Sequence, residues 1–350
     1  MKILVYGAGA VGGYLGSMLT FAQHDVTFID METNARVITA NGLSIVQQGQ
    51  RRVARPRAVS SVAQAFMGDE SYDLILMGVK SYHLKSALDP LVAFCPQPNM
   101  IITIQNGIGV ERPFIEQYGP EHIIAGSFTI PISKETINQL VVEREERGLA
   151  LAPTKPGQDI KQWLGLFNDA GIKTDGVKNY EAMKWSKAFL NIIGNASSAI
   201  LNRPPGVVYK SGPMFDLEVQ MLKETLAVMK KLGLKVIDLP GSPAKRLAAS
   251  INRVPQAILK PIMTRLVSSG RGDKMPSFHI DLASGSGQSE VIYHNGAIAH
   301  AGQENGVSTP VNYILADVLL KLTSGEFDWR EFDGKPRRLL QEVRKLENRQ

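Results

Sequence analysis

Short apolar runs rich in β-branched residues recur through the first half of the chain, at 2–6, 25–30, 73–79, 99–105 and 123–129, each bounded by polar residues or glycine. Runs of this length and composition predict strands. Between several of them apolar residues recur at helical spacing, as in 11–19 and 62–67. Strand–helix alternation of this kind predicts a doubly wound, mostly parallel α/β sheet of the Rossmann type. Segment 42–60 instead alternates apolar and polar positions around Gln47, Gly49 and Gln50, the pattern of a hairpin. A helical stretch at 157–170 and a last short strand at 172–177 close this half. From Asn179 onward strand signals almost vanish, and amphipathic patterns follow at 182–201, 215–232, 243–267, 290–305 and 310–323. A final helix at 335–348 carries Leu339, Leu340, Val343 and Leu346 on one face. The pattern predicts two domains, an α/β domain over 1–178 and an all-helical C-terminal domain over 179–350, with no internal repeat.

Composition narrows the class without identifying the activity. At 350 residues, 44% hydrophobic and 21% charged, the chain has room for two packed cores. Its one cysteine, Cys95, excludes an internal disulfide and a thiolate-rich zinc site, and fits a reducing compartment. The net charge of +6 favours anionic ligands in general. The densest basic patch, Arg51, Arg52, Arg55 and Arg57, has no interleaved aromatics and reads as the solvated face of the hairpin, which argues against nucleic acid. The first twenty residues have the outline of a secretory signal, yet Gly7, Gly9, Gly12, Gly13 and Gly16 would break its apolar helix. No run approaches the roughly 20 apolar residues of a membrane span, so no membrane partner and a cytoplasmic location are expected.

The glycines have a better explanation. Gly7, Gly9 and Gly12, with Ala10 and Val11 between the last two, follow a predicted strand and open a predicted helix. In that context the first glycine permits a tight turn, the second lets backbone approach a pyrophosphate, and the third allows close helix–strand packing. The first domain is therefore expected to bind a dinucleotide. Asp30, at the end of the second strand, stands where a carboxylate accepts hydrogen bonds from ribose hydroxyls, which points to NADH. Arg36 is the residue that would instead meet the 2′-phosphate of NADPH.

Ligands of open α/β sheets lie beyond the carboxyl ends of the strands, where Lys80 and Asn106 stand after the third and fourth apolar runs. In the second half Lys187, Asn191, Asn195 and Ser198 recur at helical spacing as one polar stripe on an otherwise apolar segment. A helix that apolar is expected to be buried, so its stripe must face a polar ligand or partner.

Together these segments resemble the ketopantoate reductase family. The resemblance rests on the loop Gly7–Gly12, Lys80 after Met77-Gly78-Val79, Gln105-Asn106-Gly107, and Lys184-Trp185-Ser186-Lys187 followed by Asn191 and Asn195. Further on it rests on Pro276-Ser277 and on Ser289-Glu290 before Asn295-Gly296. It implies hydride transfer from NADH or NADPH to the keto carbon of a small 2-oxo acid, with 2-dehydropantoate as the leading substrate. Lys187 would be the general acid, since an ammonium both stabilises charge developing on oxygen and delivers the proton. Glu290 would orient that lysine or a substrate hydroxyl. Asn191, Asn195 and Ser277 would hold the substrate, and Lys80 with Asn106 would position nicotinamide and substrate. A homodimer is the family expectation. The chain departs from the family in having Asp30-Met31 where members that use NADPH carry an arginine, and in a long segment, 241–273, broken by Pro255 and Pro261. Two other functions compete: reduction of another branched or aromatic 2-oxo acid to a D-2-hydroxy acid, and catalytically silent dinucleotide sensing.

Overall fold

Every strand expected in the first half forms, together with four more. The strands are β1 (Lys2–Tyr6), β2 (Asp25–Ile29), β3 (Leu43–Gln47), β4 (Gln50–Ala54), β5 (Arg57–Val59) and β6 (Leu74–Met77). They continue as β7 (Ile101–Thr103), β8 (Ile123–Phe128), β9 (Ile132–Thr136), β10 (Gln139–Val142), β11 (Leu149–Pro153) and β12 (Thr174–Gly176). The computed structural model describes residues 1–68, 70–271 and 274–347. The chain divides into two units, Met1–Met183 with Leu239–Ser242, and Lys184–Asp238 with Pro243–Gln350.

In the first unit an eight-stranded sheet runs in the order β12-β11-β8-β7-β6-β1-β2-β5. All pairs are parallel except β11 against β8. Helices cover parallel sheets on both faces, which is why Leu74, Ile75, Leu76 and Met77 read as an unbroken apolar run and are all buried. β1 lies between β2 and β6, so the order reverses there, and the loops after β1 and β6 diverge at a topological switch point.

The expected hairpin forms as β3 and β4, with the basic positions Arg51 and Arg52 exposed. It belongs to a second sheet, β4-β3-β10-β9, and β5 leaves it to extend the main sheet. Neither β9–β10 nor β11 is apparent in the hydrophobic pattern. The helix Ala10–Phe21 carries the small sheet on one side, and Gly13 makes this possible: a Cβ there would stand 3.0 Å from Leu140 Cδ1.

The second unit is helical, as expected, but three of its long patterns are interrupted. Residues 182–201 do not form one helix. The helix Tyr180–Asn191 ends, the chain turns through 192–195, and the helix Ala196–Leu201 follows. Segment 243–267 divides at Pro255 into Ala244–Arg253 and Gln256–Arg271, while Pro261 lies within the second helix. Segment 290–305 begins as a single 3-10 turn, Glu290–Tyr293, before the helix Asn295–Glu304. Pro310–Ser324 and Pro336–Glu347 complete the unit, the latter burying Leu339 and Val343; position 348 of the expected last helix lies outside the described residues.

A polar network runs through this apolar core. Glu224 accepts hydrogen bonds from the backbone N–H groups of Val311 (3.1 Å) and Asn312 (3.0 Å) and from the Asn312 side chain (2.8 Å). The carboxylate thereby satisfies donors in the first turn of Pro310–Ser324 that a helix leaves unpaired. Asn295 donates in turn to Asn312 Oδ1 at 3.0 Å, which ties the start of Asn295–Glu304 to the same network.

Candidate active site

At the switch point the chain turns from β1 into its helix through Gly7, whose φ of +103° suits glycine. Gly12 is required by contact, since a Cβ there would lie 2.1 Å from the Gly7 carbonyl oxygen. Gly9 is different. Its φ of −70° and ψ of −171° suit any residue, and a Cβ there would meet nothing within 4 Å. The fold makes no demand for glycine at this position, so the open space over it is a cradle that a side chain would fill, where a pyrophosphate can reach the free N–H groups of the helix start. Ala10 and Val11, the first two helical residues, offer those groups. The residues present therefore fit a dinucleotide.

Asp30, just beyond β2, braces this loop. Its Oδ2 accepts from Ala8 N at 2.6 Å, and its Oδ1 accepts from Met31 N and Asn34 Nδ2, both at 2.7 Å. The carboxylate is thus fixed beside the glycine loop, partly exposed. Arg36 pairs with Glu32 one turn earlier on its own exposed helix.

Lys80 follows β6 and starts the short 3-10 turn Ser81–His83; Asn106 lies in the loop after β7. Ser81 joins these neighbouring loops: its buried hydroxyl donates to the Asn106 carbonyl oxygen at 2.5 Å. Sequence reading passed over Ser81, whose only signal is its place next to a strand-end lysine.

In the helical unit Lys187 is half-buried on Tyr180–Asn191, one turn before Asn191, the last residue of that helix. The helix then breaks. Gly194 takes a left-handed φ of +59° and donates its N–H to Glu218 Oε2 at 2.8 Å. The buried Glu218 also accepts from Tyr209 Oη at 2.9 Å and from the Ser197 hydroxyl. Glu218 thus anchors the break, a role that no local sequence pattern signals.

The consequence falls on Asn195. Its Nδ2 donates to the Asn191 carbonyl oxygen at 3.1 Å and reaches Ser277 Oγ at 3.4 Å, while its Oδ1 accepts from Phe278 N at 3.2 Å. Asn191, Asn195 and Ser277 are brought together, with Ser277 exposed at the start of Ser277–Ala283. Ser198 does not share a helical stripe with Lys187, because the turn at 192–195 ends the helical register. It is fully buried, and its hydroxyl has no hydrogen-bond partner among the described residues. Glu290 opens its 3-10 turn, capped by the Ser289 hydroxyl at Val291 N, and is 3% exposed. Burial, and then the nearby Glu290 carboxylate, push the Tyr293 hydroxyl above its ordinary value. Among the described residues no cluster of His, Cys, Asp or Glu could hold a metal ion, and no helix is long and apolar enough to cross a membrane.

The family model for ketopantoate reductase PanE/ApbA matches residues 3–150, and that for its C-terminal region matches 179–323. The 2-dehydropantoate 2-reductase of Pyrococcus horikoshii is 28% identical over 244 residues, covering 67% of this chain and 75% of that protein. That of Halobacterium salinarum is 24% identical over 327 residues, covering 91% and 98%. Among solved structures, a PanE/ApbA family ketopantoate reductase from Ralstonia eutropha JMP134 superposes with a TM-score of 0.77 at 25% identity, over 93% of this chain and 99% of that one. A D-mandelate dehydrogenase bound to NADH and anilino(oxo)acetate shares the fold, with a TM-score of 0.76 at 21% identity over 93% and 99%. With both family models matched across most of its length, the chain belongs to the ketopantoate reductase family.

Proposed function

We propose that this NAD(P)-dependent reductase transfers hydride to the keto carbon of 2-dehydropantoate, giving pantoate, and that Lys187 is its general acid. The observation that carries the reading is the grouping built at the helix break: Asn195 joins Asn191, one turn beyond Lys187 on the same helix, to Ser277 of the helix Ser277–Ala283. Such a group offers amide and hydroxyl donors to the carboxylate and hydroxyl of a small polar acid. The dinucleotide, held over Gly9, supplies the hydride. Oxygen at the reacting carbon gains charge as hydride arrives, and the Lys187 ammonium stabilises that charge and gives up a proton to it. Glu290 is the group that orients Lys187 or a substrate hydroxyl. Lys80 and Asn106, on loops joined through Ser81, position the nicotinamide end.

For the cofactor the reading is NADH. Asp30 is held in place by three N–H donors, so a 2′-phosphate would meet a carboxylate that cannot swing away. Like-charge juxtaposition of this kind costs several kcal/mol. Arg36, already paired with Glu32 and exposed, returns less than about 1 kcal/mol.

Lys187→Ala tests the central role. It should lower kcat by about 10²–10⁴ while leaving the dissociation constant for the dinucleotide nearly unchanged, because the lysine acts on charge that develops in the transition state. A variant that turns over like the parent overturns the assignment.

A further inference from the structure

The small sheet places a cation at the phosphate loop. Antiparallel β9 and β10 pair Lys134 directly with Leu140, and directly paired residues project to the same face. Leu140 projects onto Gly13 of the helix Ala10–Phe21, so Lys134 projects toward the same helix. Its ammonium donates to the Ala8 carbonyl oxygen at 3.1 Å. Ala8 is thus gripped twice, by Asp30 at its N–H and by Lys134 at its carbonyl. The same row of the sheet continues through Ile45 to Arg52, whose guanidinium lies 3.8 Å from the centre of the Phe21 ring at the far end of the helix.

The two ends differ electrostatically. A cation near the C-terminus of a helix is favoured by the helix dipole, and one near the N-terminus is disfavoured unless an anion shares the site. No acidic side chain occupies the first turn of Ala10–Phe21, and the carboxylate beside it, Asp30, is engaged by the N–H groups of Ala8, Met31 and Asn34 and not by the Lys134 ammonium, which meets a carbonyl instead. An ammonium held at that end makes sense when the anion is a ligand.

We infer that Lys134, contributed by the small sheet, binds the phosphates of the dinucleotide and completes the cofactor site from outside the main sheet. The inference rests on the reading that the Gly7–Gly12 loop binds NADH or NADPH. A lysine–phosphate contact is a charge-assisted hydrogen bond, and its loss weakens binding by about tenfold or more.

The test is fluorescence titration of NADH and of NADPH into the parent, Lys134→Ala, Lys134→Arg and Arg52→Ala at several salt concentrations, with thermal unfolding of each checked first. Lys134→Ala should raise the dissociation constant about tenfold and flatten its salt dependence, Lys134→Arg should keep most of the affinity, and Arg52→Ala should bind like the parent. Equal losses for both dinucleotides place the ammonium on the pyrophosphate. A larger loss for NADPH places it on the 2′-phosphate. Lys134→Ala binding both dinucleotides like the parent, or Arg52→Ala losing as much as Lys134→Ala, overturns the inference. A parent that binds neither dinucleotide overturns the reading of the loop itself.

Discussion

Two glycines of one loop carry different information. Gly12 is imposed by its neighbours, because a Cβ would collide with the Gly7 carbonyl oxygen at 2.1 Å. Gly9 is imposed by nothing in the protein. Gly9→Ala should therefore unfold at the parent's temperature yet bind dinucleotide at least about tenfold more weakly, whereas Gly12→Ala should lose about 1–3 kcal/mol of stability or more. Thermal unfolding with cofactor titration checks both, and a Gly9→Ala protein with parental affinity contradicts the cradle. Asp30 makes a second case. Asp30→Ala leaves Ala8 N–H without its carboxylate and removes the charge facing a 2′-phosphate, so it should narrow the gap between NADH and NADPH; adding Met31→Arg should reverse it. Comparing kcat/KM with the two cofactors decides this, and a parent that already prefers NADPH contradicts it. The glycine loop and Asp30 were legible in the sequence because their meaning lies in spacing along one strand–turn–helix. That Asp30 also braces Ala8 was not, since that depends on a distance between separate loops.

The helix break at 192–195 was hidden by its own composition. Apolar residues continue at helical spacing from Ala188 through Ile192 and Ala196 to Ile200, and the pattern does not register a turn that a buried carboxylate stabilises from another helix. Gly194 was the one local clue. A side chain at Gly194 would adopt a left-handed φ and place Cβ 2.9 Å from Pro205 Cβ. Gly194→Ala should cost about 1–3 kcal/mol, seen as an earlier urea midpoint, and should raise KM for the oxo acid by displacing Asn195 from Ser277. An unchanged midpoint and KM would show that the break has no part in the site. The half of the small sheet beyond the β3–β4 hairpin was not legible for another reason. β9 and β10 are only five and four residues long, and Ile132–Thr136 carries polar residues at four of its five positions, so no alternation long enough to recognise survives.

Across the whole chain, the division into a parallel α/β half and a helical half was readable because strand and helix periods differ over long stretches. The polar network that holds the helical half was not, because Glu224, Asn295 and Asn312 lie on three helices. Burial raises the Glu224 carboxyl above its ordinary value of 4.5 despite its N–H donors. With the folded value above the unfolded one, the folded state holds the proton more tightly between the two. The group's contribution to stability is therefore full below the ordinary value and is lost as pH rises through the folded value. Glu224→Gln should flatten the dependence of the urea midpoint on pH from mildly acidic to neutral, and an unchanged slope would show that Glu224 does not titrate differently on folding. The reaction itself is reached by one measurement: loss of nicotinamide absorbance when the purified protein is given NADH or NADPH and a panel of 2-oxo acids that includes 2-dehydropantoate and phenylglyoxylate. The highest kcat/KM is expected for 2-dehydropantoate, with NADH as donor. A kcat/KM higher for another branched or aromatic oxo acid would contradict the substrate, and dinucleotide binding without oxidation by any of them would contradict the reaction.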